Sequence, residues 1–74
     1  MMSKRLRVVT YKELANKLSH AGYQIIRTSK HPVYYKQEGN ITIPVPDHPG
    51  DVPKGLLRKI IKEMGITIEE FNRL

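Results

Sequence analysis

Between Thr10 and Gly22, apolar residues recur at intervals of three and four: Tyr11, Leu14, Ala15, Leu18 and Ala21. That period marks one face of an amphipathic helix. Thr10-Tyr11-Lys12-Glu13 supplies its start as a capping box. The Thr hydroxyl accepts from the backbone N–H of Glu13, and the Glu carboxylate reaches back to the cap. Gly22 closes the helix, because glycine takes the left-handed position after a C-terminus without penalty.

The pattern then changes. Tyr23 to Arg27 is rich in aromatic and β-branched residues and predicts a first strand. Pro32 to Lys36 predicts a second, entered through a proline that cannot donate to a ladder. Gln37-Glu38-Gly39-Asn40 has the composition of a hairpin turn. After it Ile41, Ile43 and Val45 alternate with Thr42, Pro44 and Pro46, the signature of a half-buried strand. Its two prolines predict an edge position or an early end to pairing.

Asp47 to Asp51 is a surface loop by composition. A second helix starts near Val52-Pro53, with Leu56, Leu57, Ile60, Ile61 and Met64 as its apolar stripe and Gly65 as its end. Gly55 within that pattern suggests a close-packing requirement, since glycine costs about 1 kcal/mol against alanine in a helix. Thr67-Ile68-Glu69-Glu70 is a second capping box and opens a short last helix holding Phe71 and Leu74. The order predicts an α+β fold, α-β-β-β-α(-α), with a three-stranded antiparallel sheet and helices packed on one face. The other face is left to solvent or a ligand.

Length sets the scale. Seventy-four residues make one small domain with one thin core. Residues 1–9 read as a short basic N-terminal arm whose structure the pattern leaves open, and 10–74 as the folded unit. With no cysteine, neither a disulfide framework nor a Cys-based zinc site can supplement that core. No run approaches the ~18 apolar residues of a membrane span, and the N-terminus is too short in apolar residues for a signal peptide. The expectation is a soluble cytoplasmic protein with no membrane association.

Thirteen Lys+Arg against seven Asp+Glu give a net charge of +6. On so small a chain, that field favours nucleic acid or an acidic protein partner. Its plain alternative is a generically soluble basic surface. The charge bears on one segment above all, Arg27-Thr28-Ser29-Lys30-His31-Pro32-Val33-Tyr34-Tyr35-Lys36, where a histidine sits among cations. RNA cleavage needs a base to take the 2′-hydroxyl proton and an acid to protonate the departing 5′ oxygen. An imidazole can do either near neutral pH. The nucleophile belongs to the substrate, so that route needs no metal and no cofactor. Arg27 and Lys30 would offset charge developing on the phosphorus. Against this stands an exposed histidine with no role on a solvated basic edge.

His48, in a Pro-flanked loop, is a second candidate, as proton carrier or phosphate contact. His20, in the last turn of the first helix, suits the helix dipole and is assigned no role. Three histidines with Asp47 and Asp51 lack any paired spacing on one helical face, so a metal site is not read here. Tyr34 and Tyr35 point to opposite faces of one strand, one into the core and one free to stack on a base. Lys54, Arg58 and Lys62 form a basic stripe, either a solvated helix face or a phosphate-tracking ridge. The candidate set is thus His31 for catalysis, and Arg27, Lys30, Lys36, His48, Lys54 and Arg58 for RNA, with no metal ligand.

From about Thr10 to Leu74, these residues resemble the HicA family of toxins, small mRNA interferases of bacterial toxin–antitoxin pairs. The resemblance rests on an ordered set. It begins with Glu13-Leu14, Ala21-Gly22-Tyr23, Arg27 leading to His31, and Val33-Tyr34. It continues through Ile43-Pro44-Val45-Pro46, His48, Pro53-Lys54-Gly55, Leu57-Arg58 and Ile60, to Gly65-Ile66 and Glu69-Glu70-Phe71. It implies a double-stranded-RNA-binding-like fold and metal-independent endoribonuclease activity on mRNA that halts translation. It also implies a cognate HicB-type antitoxin that masks the toxin's site in a hetero-oligomer. The family's catalytic histidine matches His31. The chain departs from the family's pattern at Ser29-Lys30, where a Gly-Ser or Gly-Thr pair is usual. It departs again at Pro32, in place of a frequent second histidine, and at Leu56, where a hydroxyl residue is usual. Two other readings of the same residues are a non-catalytic RNA-binding module or degenerate toxin, and a domain whose basic face meets only an acidic protein.

Overall fold

The computed structural model describes residues 6–27, 32–46 and 48–74. Within them the elements follow the predicted order: α1 (Tyr11–His20), β1 (Gln24–Arg27), β2 (Val33–Lys36), β3 (Ile41–Pro44), α2 (Lys54–Met64) and α3 (Ile68–Asn72). The expected α+β class is therefore the observed one.

Local chemistry fixes the ends of these elements. At α1 the backbone N–H of Glu13 donates to the Thr10 hydroxyl at 3.0 Å, and the Thr10 N–H donates to the Glu13 carboxylate at 2.8 Å. The same reciprocal pair joins Thr67 and Glu70 at α3, at 3.0 and 2.9 Å. Gly65 ends α2 in the left-handed region at φ +72°, where an L side chain would be strained. Gly55 departs from expectation. A Cβ built there meets no atom within 4 Å, so close packing does not explain it. It lies in the exposed first turn of α2.

The sheet has the order β1-β2-β3, with both pairings antiparallel. The Gln37–Asn40 turn brings β3 back along β2, so that Tyr34 faces Ile43 and Lys36 faces Ile41. Pairing stops at Pro44, as its missing N–H requires. Beyond it the Val45 N–H still donates to the Pro32 carbonyl at 2.9 Å. Alternation along β2 and β3 puts Tyr34 and Ile43 into the core and Tyr35 and Thr42 on the face away from it.

Helices and sheet meet in one cluster. Phe71, Leu14, Leu18, Ile43, Leu57 and Ile60 are its fully buried members. Part of the predicted basic arm belongs to it too, since Leu6 and Val9 are buried there. The reason lies in backbone pairing. Thr10 bridges Asp51, the Val52 N–H donates to the Val9 carbonyl at 2.9 Å, and Val52 is itself core. Lys17 tightens the far end of α1. Its ammonium donates to the carbonyls of Phe71 and Leu74 at 3.2 Å each and lies 5.1 Å from the Phe71 ring centre. A cation there satisfies carbonyls that a helix C-terminus leaves open.

Candidate functional site

The β1–β2 connection carries the chemistry anticipated for RNA. Arg27 ends β1 opposite Val33, after a bulge between Ile25 and Arg27, and is exposed. Lys30 and His31 lie outside the described residues. Pro32, the next residue along the chain, is half-buried and holds its carbonyl on Val45.

Pro32 also lines a groove of about 550 Å³ between the start of α1 and the end of the sheet. Tyr34, Val45 and Ala15 form its apolar part, and Tyr34 and Val45 are core residues. Tyr11 and Lys12 come from the first turn of α1, and Pro46, His48 and Pro49 from the loop after β3. The loop is braced onto the helix start, because the Tyr11 N–H donates to the Gly50 carbonyl at 3.1 Å.

His48 is held within that brace. Its Nδ1 lies 2.6 Å from the Pro49 carbonyl oxygen. A carbonyl only accepts, so Nδ1 carries the hydrogen and donates. Nε2 is then the ring nitrogen that remains for a ligand. The imidazole centre is 5.5 Å from the Tyr11 ring centre at an interplanar angle of 51°, a tilted aromatic contact. No described Asp or Glu lines the groove. The Glu13 carboxylate is committed to its capping box, and hydrogen bonding from Thr10, its backbone N–H first and its side chain second, holds the carboxyl below the usual carboxylate range.

The remaining candidates are dispersed. Lys36 sits at the far end of β2 from Pro32, with its ammonium 5.6 Å from the Tyr23 ring centre. Burial pushes the Tyr23 phenol up. Lys54 and Arg58 are exposed on α2 with Lys62, and none of the three forms an ion pair among the described residues. His20 is exposed at the end of α1. Among the described residues no group of three His, Asp or Glu side chains comes together to hold a metal ion. Among them, too, no helix is long and apolar enough to cross a membrane.

The model of the HicA toxin of bacterial toxin–antitoxin systems matches residues 11–66, from the first turn of α1 to just beyond α2. The chain belongs to the HicA toxin family. It is thus the toxin member of a toxin–antitoxin pairing. No curated protein matches it.

Within this HicA toxin, the matched span takes in His31, His48 and both walls of the groove, and leaves α3 outside. Of the residues that line the groove, only His48 belongs to the candidate set that the sequence supplies; Tyr11 and Lys12 are among those it misses. Along the chain Tyr11 has the spacing of helix core, and Lys12 is only a position within the capping box. Nothing in a helical period reveals that the loop after β3 packs over that first turn. The only hint is the Pro-flanked His48.

Proposed function

We propose that this HicA toxin is a metal-independent endoribonuclease that cuts mRNA and so blocks translation, with His31 as the general acid/base. The observation that supports it most is the family match across residues 11–66, which includes His31. The chain's net charge of +6 adds to it, because a polyanionic substrate is drawn to such a field.

The chemistry balances with the substrate as nucleophile. The 2′-hydroxyl oxygen attacks the adjacent phosphorus, and a base takes its proton. The P–O5′ bond breaks, and an acid returns a proton to the leaving oxygen. The products are a 2′,3′-cyclic phosphate and a 5′-hydroxyl end. His31 can serve as base in the first transfer and then, once protonated, as acid in the second, or His48 can serve in one of them. Arg27 and Lys30 oppose the charge that builds on the phosphoryl oxygens, while Lys36, Lys54 and Arg58 hold the RNA backbone. Translating mRNA places this activity in the cytoplasm. A cognate HicB-type antitoxin, binding as a hetero-oligomer, would hold it in check.

Expression in a host lacking the antitoxin tests this reading. Wild type should arrest growth with fragmentation of mRNA, and His31→Ala should do neither while accumulating to the same level. A fully toxic His31→Ala variant would remove His31 from the mechanism.

A further inference from the structure

The groove between α1 and the loop after β3 has the composition of a ring-binding site rather than a phosphate track. We propose that it is a nucleobase pocket, which takes one unpaired base of the RNA beside the scissile phosphate. This rests on the ribonuclease reading for its substrate class and adds the subsite that would set sequence preference.

Shape and lining support a planar heterocycle. A volume of about 550 Å³ is ample for one nucleobase and part of its ribose, and falls within the ordinary range of ligand pockets. Tyr34 and Val45 supply an apolar floor, and the Tyr11 and His48 rings with Pro46 offer flat faces. Every base has a π-face, so stacking on such walls tolerates any base and is worth a substantial share of single-strand affinity. Discrimination then falls to the few polar groups present. His48 Nε2 is oriented by the Nδ1 bond to the Pro49 carbonyl and is the ring nitrogen left to hydrogen-bond a base edge.

Charge selects the occupant. Lys12 lines the groove and is exposed, and the Glu13 carboxylate beside it in sequence is tied to Thr10. A nucleotide carries its phosphate past that lysine; an apolar peptide side chain would gain nothing from it. The place along the chain fits as well. Pro32 forms part of the lining and directly follows His31 in the sequence. The α2 stripe of Lys54, Arg58 and Lys62 offers cations and no aromatic ring, so it would follow the backbone and leave bases unread.

The test uses the full chain and uncleavable RNA. Single-stranded 2′-O-methyl tetranucleotides of each base are titrated into ¹⁵N-labelled toxin, and cleavage sites on a long single-stranded RNA are mapped in parallel. The expected shifts centre on Lys12, Ala15, Val45 and His48, and one base binds tighter than the others. Tyr11→Leu keeps an apolar side chain against the core and should weaken that binding about tenfold and redistribute the cleavage sites. Lys12→Gln should weaken all four tetranucleotides alike. Shifts confined to Tyr35 and its sheet face, or to α2, would overturn the inference, as would an unchanged cleavage map in Tyr11→Leu. So would a groove that responds to the purified antitoxin and never to RNA. If wild type cuts RNA while the groove stays silent, the pocket falls and the ribonuclease stands. If wild type neither binds nor cuts, both fall.

Discussion

At the scale of single residues, the proposed chemistry and the folding energetics fall on different side chains. The proposed mechanism gives proton transfer to His31, and its removal should lower RNA cleavage by about a hundredfold or more with an unchanged melting temperature. A melt that shifts together with activity would instead make it a structural residue. Glu13 and Glu70 act on folding. Each accepts a backbone N–H from a capping threonine, which holds its carboxyl below the ordinary value of 4.5. A folded value below the unfolded one means that the contribution is full above about pH 4.5 and is lost as pH falls through the folded value. Melting temperature should therefore drop on acidification through that window. Glu13→Gln should melt with a shallower pH dependence; an identical slope would show that the capping carboxylate does not couple to folding. Both capping boxes are legible in the sequence, because each is a local pattern of four residues. The role of Lys17 is not, since its partners Phe71 and Leu74 lie more than fifty positions away.

Elements are legible where period and punctuation agree. The three helices and three strands follow the apolar spacing, the two Thr caps, and the glycines that end α1 and α2. The register of β2 on β3 follows from the turn and from alternation. The roles of the first nine residues and of Gly55 are not legible. Leu6 and Val9 enter the core where Val9 pairs with Val52 and Thr10 bridges Asp51, a long-range association with no local periodicity. Gly55 has open space around it and lies in α2's first turn. Gly55→Ala should thus raise stability by roughly 0.5–1 kcal/mol, seen as a melting temperature several degrees higher. A lower value would mean that the residue is held by something outside this fold. Phe71→Ala, by contrast, opens a fully buried position and should cost about 3–5 kcal/mol. In a domain with a margin of a few kcal/mol, circular dichroism should then report a largely unfolded chain.

At the scale of the molecule, a +6 chain of 74 residues presents cations on the β1 end, the first turn of α1 and the α2 stripe. RNA affinity should fall steeply with salt. Replacing Lys54 or Arg58 with alanine removes one cation from the stripe, and should reduce the slope of log K against log salt by roughly one for each phosphate left unneutralised. An unchanged slope would take α2 out of the interface. The candidate site is less legible than the fold because it is assembled across the chain. His48, Tyr11 and Pro32 come together only when the loop after β3 closes on α1. The most direct test of the central claim is cleavage of a long single-stranded RNA by the purified toxin in EDTA, with His31→Ala beside it. The account predicts fragments from wild type alone, ending in 2′,3′-cyclic phosphate and 5′-hydroxyl groups. Folded wild-type protein that binds the RNA and leaves it intact would contradict it.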